Sequence, residues 1–258
     1  MHTEIWAHRG SSRTFVENSM AAFRQAIADG VDGVELDVQQ TRDGQLIVFH
    51  DERLGRLTNS KHCIWDTTWA DLQTLTLGET SEKIPSLKEV LELFKTTDLT
   101  VNIELKNSLF LYSGMEKDVF ELVANLEMKD QVLYSSFNHE SIVKMAKLAG
   151  GEKCAILTSD IHVKPWEYLQ QLGVESYHPM INSLQQKMLI RNVHKHGLKV
   201  NVWTADHPAH IYAALLLEVD AIITNEPKRA VELRKQFKSD GGQKAVKAVR
   251  ELGFSFPE

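Results

Sequence analysis

Cysteine is scarce in this sequence: Cys63 and Cys154 are the two thiols among 258 residues. They form no Cys-x-x-Cys pair and permit at most one bridge, so a disulfide framework is excluded and free thiols in a reducing compartment are expected. No run approaches the ~18 consecutive apolar residues of a membrane-spanning helix. The opening MHTEIWAHRG has neither the basic n-region nor the apolar h-region of a secretory signal, and the expected location is cytoplasmic. Positive charge is in deficit: 29 Lys and Arg stand against 35 Asp and Glu, a net charge of −6 that argues against a general nucleic-acid binder. There is no P-loop, no dinucleotide-binding glycine fingerprint and no zinc-ligand pattern. Ser135-Ser136 lacks the Gly-x-Ser-x-Gly elbow of a serine hydrolase. Low-complexity segments and internal repeats are also missing.

What the chain does contain is an apolar fraction of 43% with 25% charged residues, the ordinary balance of a globular domain with a sizeable core. Runs rich in Val, Ile and Leu read as strands at Glu4–His8, Gly33–Val38, Leu99–Leu105, Gln131–Ser135, Lys153–Leu157, Val174–His178, Leu198–Trp203 and Val219–Ile223. Helical patterns lie between them at Asn18–Asp29, Met115–Asn125, His139–Leu148, Leu184–His196, Pro208–Leu217 and Pro227–Phe237. Asn18 is placed to cap the first of these helices and Pro227 to open the last. Alternating strands and helices predict an α/β architecture. At this length the closed (β/α)8 TIM barrel is preferred, with a doubly wound sheet as the alternative. The interval 39–98 is too long for a simple strand-to-helix connection. It opens with a hairpin turning at Asp43-Gly44 and continues through Trp65 and Trp69, with short helical patterns near Trp69–Leu75 and Ser86–Phe94. We therefore expect one domain over residues 1–258, with a small subdomain inserted after strand two at 51–98 and a weakly helical tail at 239–258.

Glu35 and Asp37 sit two apart on an otherwise apolar strand. Period two puts both carboxylates on one face and leaves Val34, Leu36 and Val38 to face the helices. Glu104 and Lys106 repeat the spacing at the end of a later strand, where in isolation a surface ion pair is an equally good reading. Together, three acids and a lysine collect at the strand ends where barrel active sites lie. Like charges held there need a cation, and carboxylates without clustered His or Cys suit Ca²⁺ or Mg²⁺ better than Zn²⁺. His8 and His50 end strands beside these acids and are candidate proton carriers, while Arg9 offers the planar fork that matches phosphate oxygens. A two-residue Asp43-Gly44 turn would pair Arg42 with Gln45, and so Asp37 with His50 across the hairpin. Phe137, Trp203 and Tyr177-His178 lie at or beyond later strand ends, as pocket lining or as plain core and rim.

Eight motifs occur together and in order: AHRG at 7–10, ENS at 17–19, GVDGVELDVQQTRDGQLIVFHD at 30–51, IPSLKEVL at 84–91, NIELK at 102–106, SSF at 135–137, VNVWTA at 200–205 and DAIITNEP at 220–227. In this combination the chain resembles the glycerophosphodiester phosphodiesterases, relatives of the phosphatidylinositol-specific phospholipases C. The resemblance implies a TIM barrel with an insert after strand two and one divalent metal ion, Ca²⁺ or Mg²⁺, on Glu35, Asp37 and Glu104. It implies His8 and His50 as the general acid/base pair, Arg9 and Lys106 as phosphate ligands, and Phe137 and Trp203 as apolar walls of a glycerol pocket. The implied reaction is hydrolysis of a small-molecule glycerophosphodiester to glycerol 3-phosphate and an alcohol; similarity to the phospholipases C makes the substrate's own 2-hydroxyl the candidate nucleophile, expelling the alcohol to give a cyclic phosphate that water then opens. Two other readings compete with it. One is a lysophospholipase D-like action on a lipid, with Cys63–Trp69 as the docking loop; the other is a catalytically silent ligand-binding barrel. Two departures from the family pattern are visible: Ser19 stands where Thr is usual, and Asn225 where Asp is frequent. Neither is expected to touch a catalytic role.

Overall fold

The apolar runs become strands and the helical patterns pack over them. The structure, a computed structural model, describes residues 3–186 and 188–251. In chain order its main elements are β1 (Glu4–His8), α1 (Met20–Asp29), β2 (Gly33–Gln40), β3 (Leu46–Val48), α2 (Trp69–Leu72), α3 (Leu87–Phe94), β4 (Thr100–Leu105), α4 (Met115–Asn125), β5 (Val132–Ser136) and α5 (His139–Ala149). They continue with β6 (Cys154–Thr158), α6 (Pro165–Leu172), β7 (Ser176–Pro179), α7 (Leu189–Lys195), β8 (Lys199–Val202), α8 (Pro208–Leu216), β9 (Ala221–Thr224), α9 (Pro227–Asp240) and α10 (Gln243–Glu251). Strands β1, β2 and β4 to β9 pair in parallel, and the β1–β2 and β1–β9 pairings close the sheet into a TIM barrel. The helix expected from Leu184 begins at Leu189, after a 3-10 turn at Ile181–Gln185. Among the described residues no helix is long and apolar enough to cross a membrane.

The main core lies between the sheet and its helices. Val34, Leu36 and Val38 are fully buried in it with Phe23, Val90 and Phe94. A second apolar cluster lies outside the barrel: Ile47, Phe49, Leu54, Ile64, Leu72, Leu77 and Ile84. It collects side chains from β3 and from the segment between β3 and α3. Strand β3 serves both cores by simple alternation, sending Leu46 and Val48 inward and Ile47, then Phe49 beyond its end, to the second cluster.

The hairpin corrects the expected register. Val38 pairs with Val48, Gln39 with Ile47 and Gln40 with Leu46. Asp37 therefore faces Phe49 rather than His50, and the loop is the three residues Arg42, Asp43 and Gly44, not two. The cause is side-chain chemistry in the turn. Thr41 Oγ1 donates to Asp43 Oδ1 (2.6 Å) and accepts from Gln45 N (2.9 Å). Asp43 Oδ1 also accepts from Trp69 N at 2.9 Å, which ties the turn to α2. Gly44 supplies the positive φ of 84° that a three-residue loop requires.

The cap of α1 is a second correction. Ser19, not Asn18, is the N-cap, its hydroxyl accepting from Ala22 N. Asn18 sits one residue earlier at φ 57° and turns its amide elsewhere. Pro227 does open α9 in its first turn. From this assignment, Ser19→Ala is expected to lower unfolding free energy by about 1 kcal/mol, whereas a residue outside the cap would not carry that cap energy. Urea denaturation of the two proteins measures it.

Candidate active site

Strand pairing alone gathers the acidic residues. Glu35 lies opposite His8 in the β1–β2 ladder, and Asp37 lies opposite Glu104 in the β2–β4 ladder. All three carboxylates are buried, with Asp37 fully enclosed. One oxygen from each comes within 4.8 Å of the others, a cluster able to hold a metal ion. Glu35 Oε1 and Asp37 Oδ1 are buried and accept no hydrogen bond, so two acceptors point into the cluster without a protein donor. An all-oxygen donor set of this kind suits a hard divalent cation.

Two cations and an amide answer the negative charge. Arg9 Nε lies 3.1 Å from Asp37 Oδ2, and Lys106 Nζ lies 3.1 Å from Glu104 Oε1 and 3.9 Å from Asp37 Oδ1. Asn18 Nδ2 donates to Asp37 Oδ2 at 2.9 Å. Arg9 and Asn18 reach their common target from left-handed backbone, φ 56° and 57°, locked together by an Asn18 N to Arg9 O bond of 2.9 Å. Gly10 follows at φ 78° so close to α1 that a Cβ would meet the Ala22 backbone at 2.7 Å. Burial, with Asp37 and Glu104 adding to it, pushes the Glu35 carboxyl well above the ordinary carboxylate range. Burial and Asp37 likewise raise Glu104. For Asp37 the burial penalty is outweighed by Arg9, His50 and Lys106, which hold it at about 2.

The two histidines are held by unlike partners. His8 Nδ1 lies 2.7 Å from Asn225 Oδ1, and its Nε2 faces Glu35 Oε2 at 3.8 Å. Asn225 cannot turn its amide around, because its Nδ2 donates to Asp206 Oδ2 (2.7 Å) and its backbone N to Asp206 Oδ1 (2.8 Å). Oδ1 is therefore the atom presented to His8, which must donate from Nδ1 and keep its Nε2 lone pair for the cavity. Burial, helped by Arg9, lowers His8 to about 4. His50 Nδ1 instead meets a carboxylate, Asp51 Oδ1, at 2.6 Å. Asp51 is paired with Arg56, Arg56 with Glu17, and Glu17 with Arg9, so a continuous chain of charges runs from His50 to the Arg9 guanidinium.

All seven polar residues singled out in the sequence thus meet at the C-terminal end of the barrel. Phe137 and Trp203 pack edge to face with ring centroids 5.5 Å apart. His178 is fully buried, its Nε2 bonded to Asn201 Nδ2 at 2.8 Å, and Tyr177 is core. Asn225, expected to stand apart from any catalytic role, contacts the His8 ring directly. It is 217 residues from His8, and only closure of the barrel, which sets Ala7 beside Thr224, reveals the contact. Glu17, Asp51, Arg56 and Asp206 were not singled out either; their one signal is that Glu17 and Asp51 belong to the quoted motifs.

The sequence matches the Glycerophosphoryl diester phosphodiesterase family over residues 8–229. It is 38% identical over 247 residues to a glycerophosphodiester phosphodiesterase of Bacillus altitudinis, covering 92% of this chain and 100% of that one. It is 36% identical over 239 residues to a glycerophosphodiester phosphodiesterase of Caldanaerobacter subterraneus subsp. tengcongensis, covering 90% and 98%. A phosphodiesterase of Oleispira antarctica, solved in complex with the product sn-glycerol-3-phosphate, superposes with a TM-score of 0.78 at 26% identity, over 89% of this chain and 96% of that one. The chain belongs to the glycerophosphoryl diester phosphodiesterase family.

Proposed function

We propose that this protein hydrolyses glycerophosphodiesters to sn-glycerol 3-phosphate and an alcohol, with a divalent metal ion, Ca²⁺ or Mg²⁺, held by Glu35, Asp37 and Glu104. The observation that carries the reading is the cluster of three buried carboxylates, two of them with an orphaned oxygen, flanked by two cations and two histidines. Charge balance supports it. Arg9 and Lys106 offset two of the three carboxylates, and a divalent cation would leave one positive charge, the complement of a phosphodiester monoanion. When bound, the metal supplies positive charge against the charge that accumulates on the phosphoryl oxygens and acidifies a neighbouring hydroxyl. The product bound by the Oleispira antarctica relative is the one this reaction yields.

The protein's own groups divide the remaining work. Arg9 and Lys106 bind the phosphate and hold it in line. His8, bonded through Nδ1 to Asn225, presents the Nε2 lone pair of a base to the attacking hydroxyl. His50, its Nδ1 held by Asp51 Oδ1, turns Nε2 to the departing alcohol and gives it a proton. Phe137 and Trp203 form the apolar wall beside the glycerol carbons. Residues 51–98 are an inserted subdomain with its own apolar cluster, tied to the site through Asp51 and Arg56. The substrate is a small molecule rather than nucleic acid, in keeping with the net charge of −6. Both cysteines are free thiols, in keeping with a cytoplasmic setting.

A second reading, lysophospholipase D-like action on a lipid, draws on one observation. Of the large apolar side chains that remain exposed, Trp65, Leu109, Leu111, Phe137, Ile161 and Val163 all lie on segments that follow the C-terminal ends of strands. Trp65, Leu109, Phe110, Leu111 and Tyr112 line a groove of about 590 Å³ there. Comparing kcat/KM for glycerophosphocholine and lysophosphatidylcholine decides between the two readings.

The primary assay is turnover of glycerophosphocholine. Exhaustive chelation is expected to abolish it and to lower Tm, with Ca²⁺ or Mg²⁺ restoring both; full activity without metal would refute the metal assignment. The Tm gap between loaded and chelated protein should widen as pH rises. Glu35 has a folded-state pKa above its unfolded one, so its contribution to stability is present at low pH and lost as pH climbs through the folded value. Metal binding gains over the same interval, because protons no longer compete for the carboxylates.

His8→Ala and His50→Ala are each expected to lower kcat by ~10²-fold or more while circular dichroism and Tm stay close to those of the parent protein. Retained turnover in either variant would remove that residue from the acid/base pair. For the nucleophile, an analogue lacking the glycerol 2-hydroxyl separates two routes. Intramolecular attack predicts turnover slower by orders of magnitude, since near-attack geometry contributes ~7 kcal/mol or more. Equal kcat for the two compounds would point to water instead.

A further inference from the structure

Strand β3 ends at Val48, and the last bond of its ladder is Phe49 N to Asp37 O at 3.0 Å. His50 lies beyond the sheet, so strand pairing does not set where its ring goes. Three successive carbonyls are instead gathered by one side chain. Gln39 Nε2 lies 2.9 Å from Phe49 O, 3.1 Å from His50 O and 2.9 Å from Asp51 O. Successive carbonyls of an extended strand point in alternating directions, so three that converge on one donor mark a chain curled around it. Two N–H groups serve the three acceptors, and one hydrogen is shared.

The amide is fixed from its other end as well. Tyr112 Oη donates to Gln39 Oε1 at 3.0 Å, and a flipped amide would set Oε1 against three carbonyl oxygens. Gln39 is fully buried and two residues along β2 from Asp37, on the same strand face. Tyr112 belongs to the connection between β4 and α4. The clamp therefore joins β2, the turn at 49–51 and that connection at a single amide.

We infer that Gln39 is a positioning residue: by holding the carbonyls of residues 49–51 it sets the backbone of His50 and aims its imidazole at the reacting centre. This rests on the reading of His50 as a proton carrier and adds the group that places it. It also accounts for how His50 reaches the site without the cross-strand pairing with Asp37. The same curl sets Asp51 against His50 Nδ1. Gln39 has no polar contact with the carboxylate cluster in this network, so its influence on turnover is routed through the backbone it holds.

Gln39→Leu keeps the approximate size and removes both donors and the acceptor. It is expected to lower kcat for glycerophosphocholine roughly 10- to 100-fold with KM within about twofold, as for a misplaced catalytic group. In the His50→Ala background the same change should alter the residual kcat by less than about twofold, because no ring is left to place. Tyr112→Phe leaves the carbonyl bonds intact and frees one end of the amide. It should lower kcat about threefold, again sparing KM and again without effect in His50→Ala, and it decides the matter if Gln39→Leu does not fold. Folded variants with full kcat, alongside an inactive His50→Ala protein, overturn the positioning role and leave the role of His50 standing. A loss that persists undiminished in the His50→Ala background also overturns it and assigns the clamp to the fold alone. Full turnover in His50→Ala itself overturns the reading of His50, and the inference with it.

Discussion

Three carboxylates confined within 4.8 Å and shielded from water repel one another, and much of the surrounding structure answers that repulsion. Arg9 and Asn18 take up left-handed backbone to reach Asp37, a conformation that costs energy for a side chain with a Cβ. Lys106 reaches back from the end of β4 along its own strand to Glu104. The three acids differ in consequence: the one ringed by cations is held low, while burial and the neighbouring carboxylates push Glu35 well above the ordinary carboxylate range. A group of side chains so poorly satisfied on its own is poised to take a cation, and the barrel's closed sheet keeps it from relaxing.

The unlike partners of the two histidines carry the second theme. A neutral amide oxygen fixes one ring nitrogen of His8 without adding charge, whereas Asp51 sets a full negative charge beside His50. Asp206 matters because it dictates which end of the Asn225 amide faces His8. The ion pairs through Arg56 and Glu17 then link the partner of His50 to the Arg9 guanidinium. Placement and charge are thus set by residues that do not themselves face the cluster.

Much of this was legible in the residues alone. The strands announce themselves as short apolar runs, and the alternation of Glu35 and Asp37 with Val34, Leu36 and Val38 tells which way the acids point. What escaped has a common cause. The hairpin register turned on Thr41 and Asp43 bonding to each other and to Trp69, a competition between side chain and backbone that a turn dipeptide does not disclose. Asn18 has the chemistry of a cap, and the next residue took that role because Asp37 needed the amide more. Asn225 and His8 lie at opposite ends of the chain and become neighbours through ring closure alone. Gln39 shares the parity of Asp37 and was open to notice, but its partners are backbone carbonyls, which carry no residue-specific signature.

Strand β3 deals its side chains alternately to two separate apolar clusters. Excising residues 51–86 would leave Ile47 and Phe49 uncovered on the outside of the barrel, beside a hairpin whose turn had lost its anchor at Trp69. Hairpin and insert therefore form one heritable module. A graft onto another barrel must carry the strand with the loop, and divergence of the insert is answerable to the alternate positions of a strand that the barrel also uses.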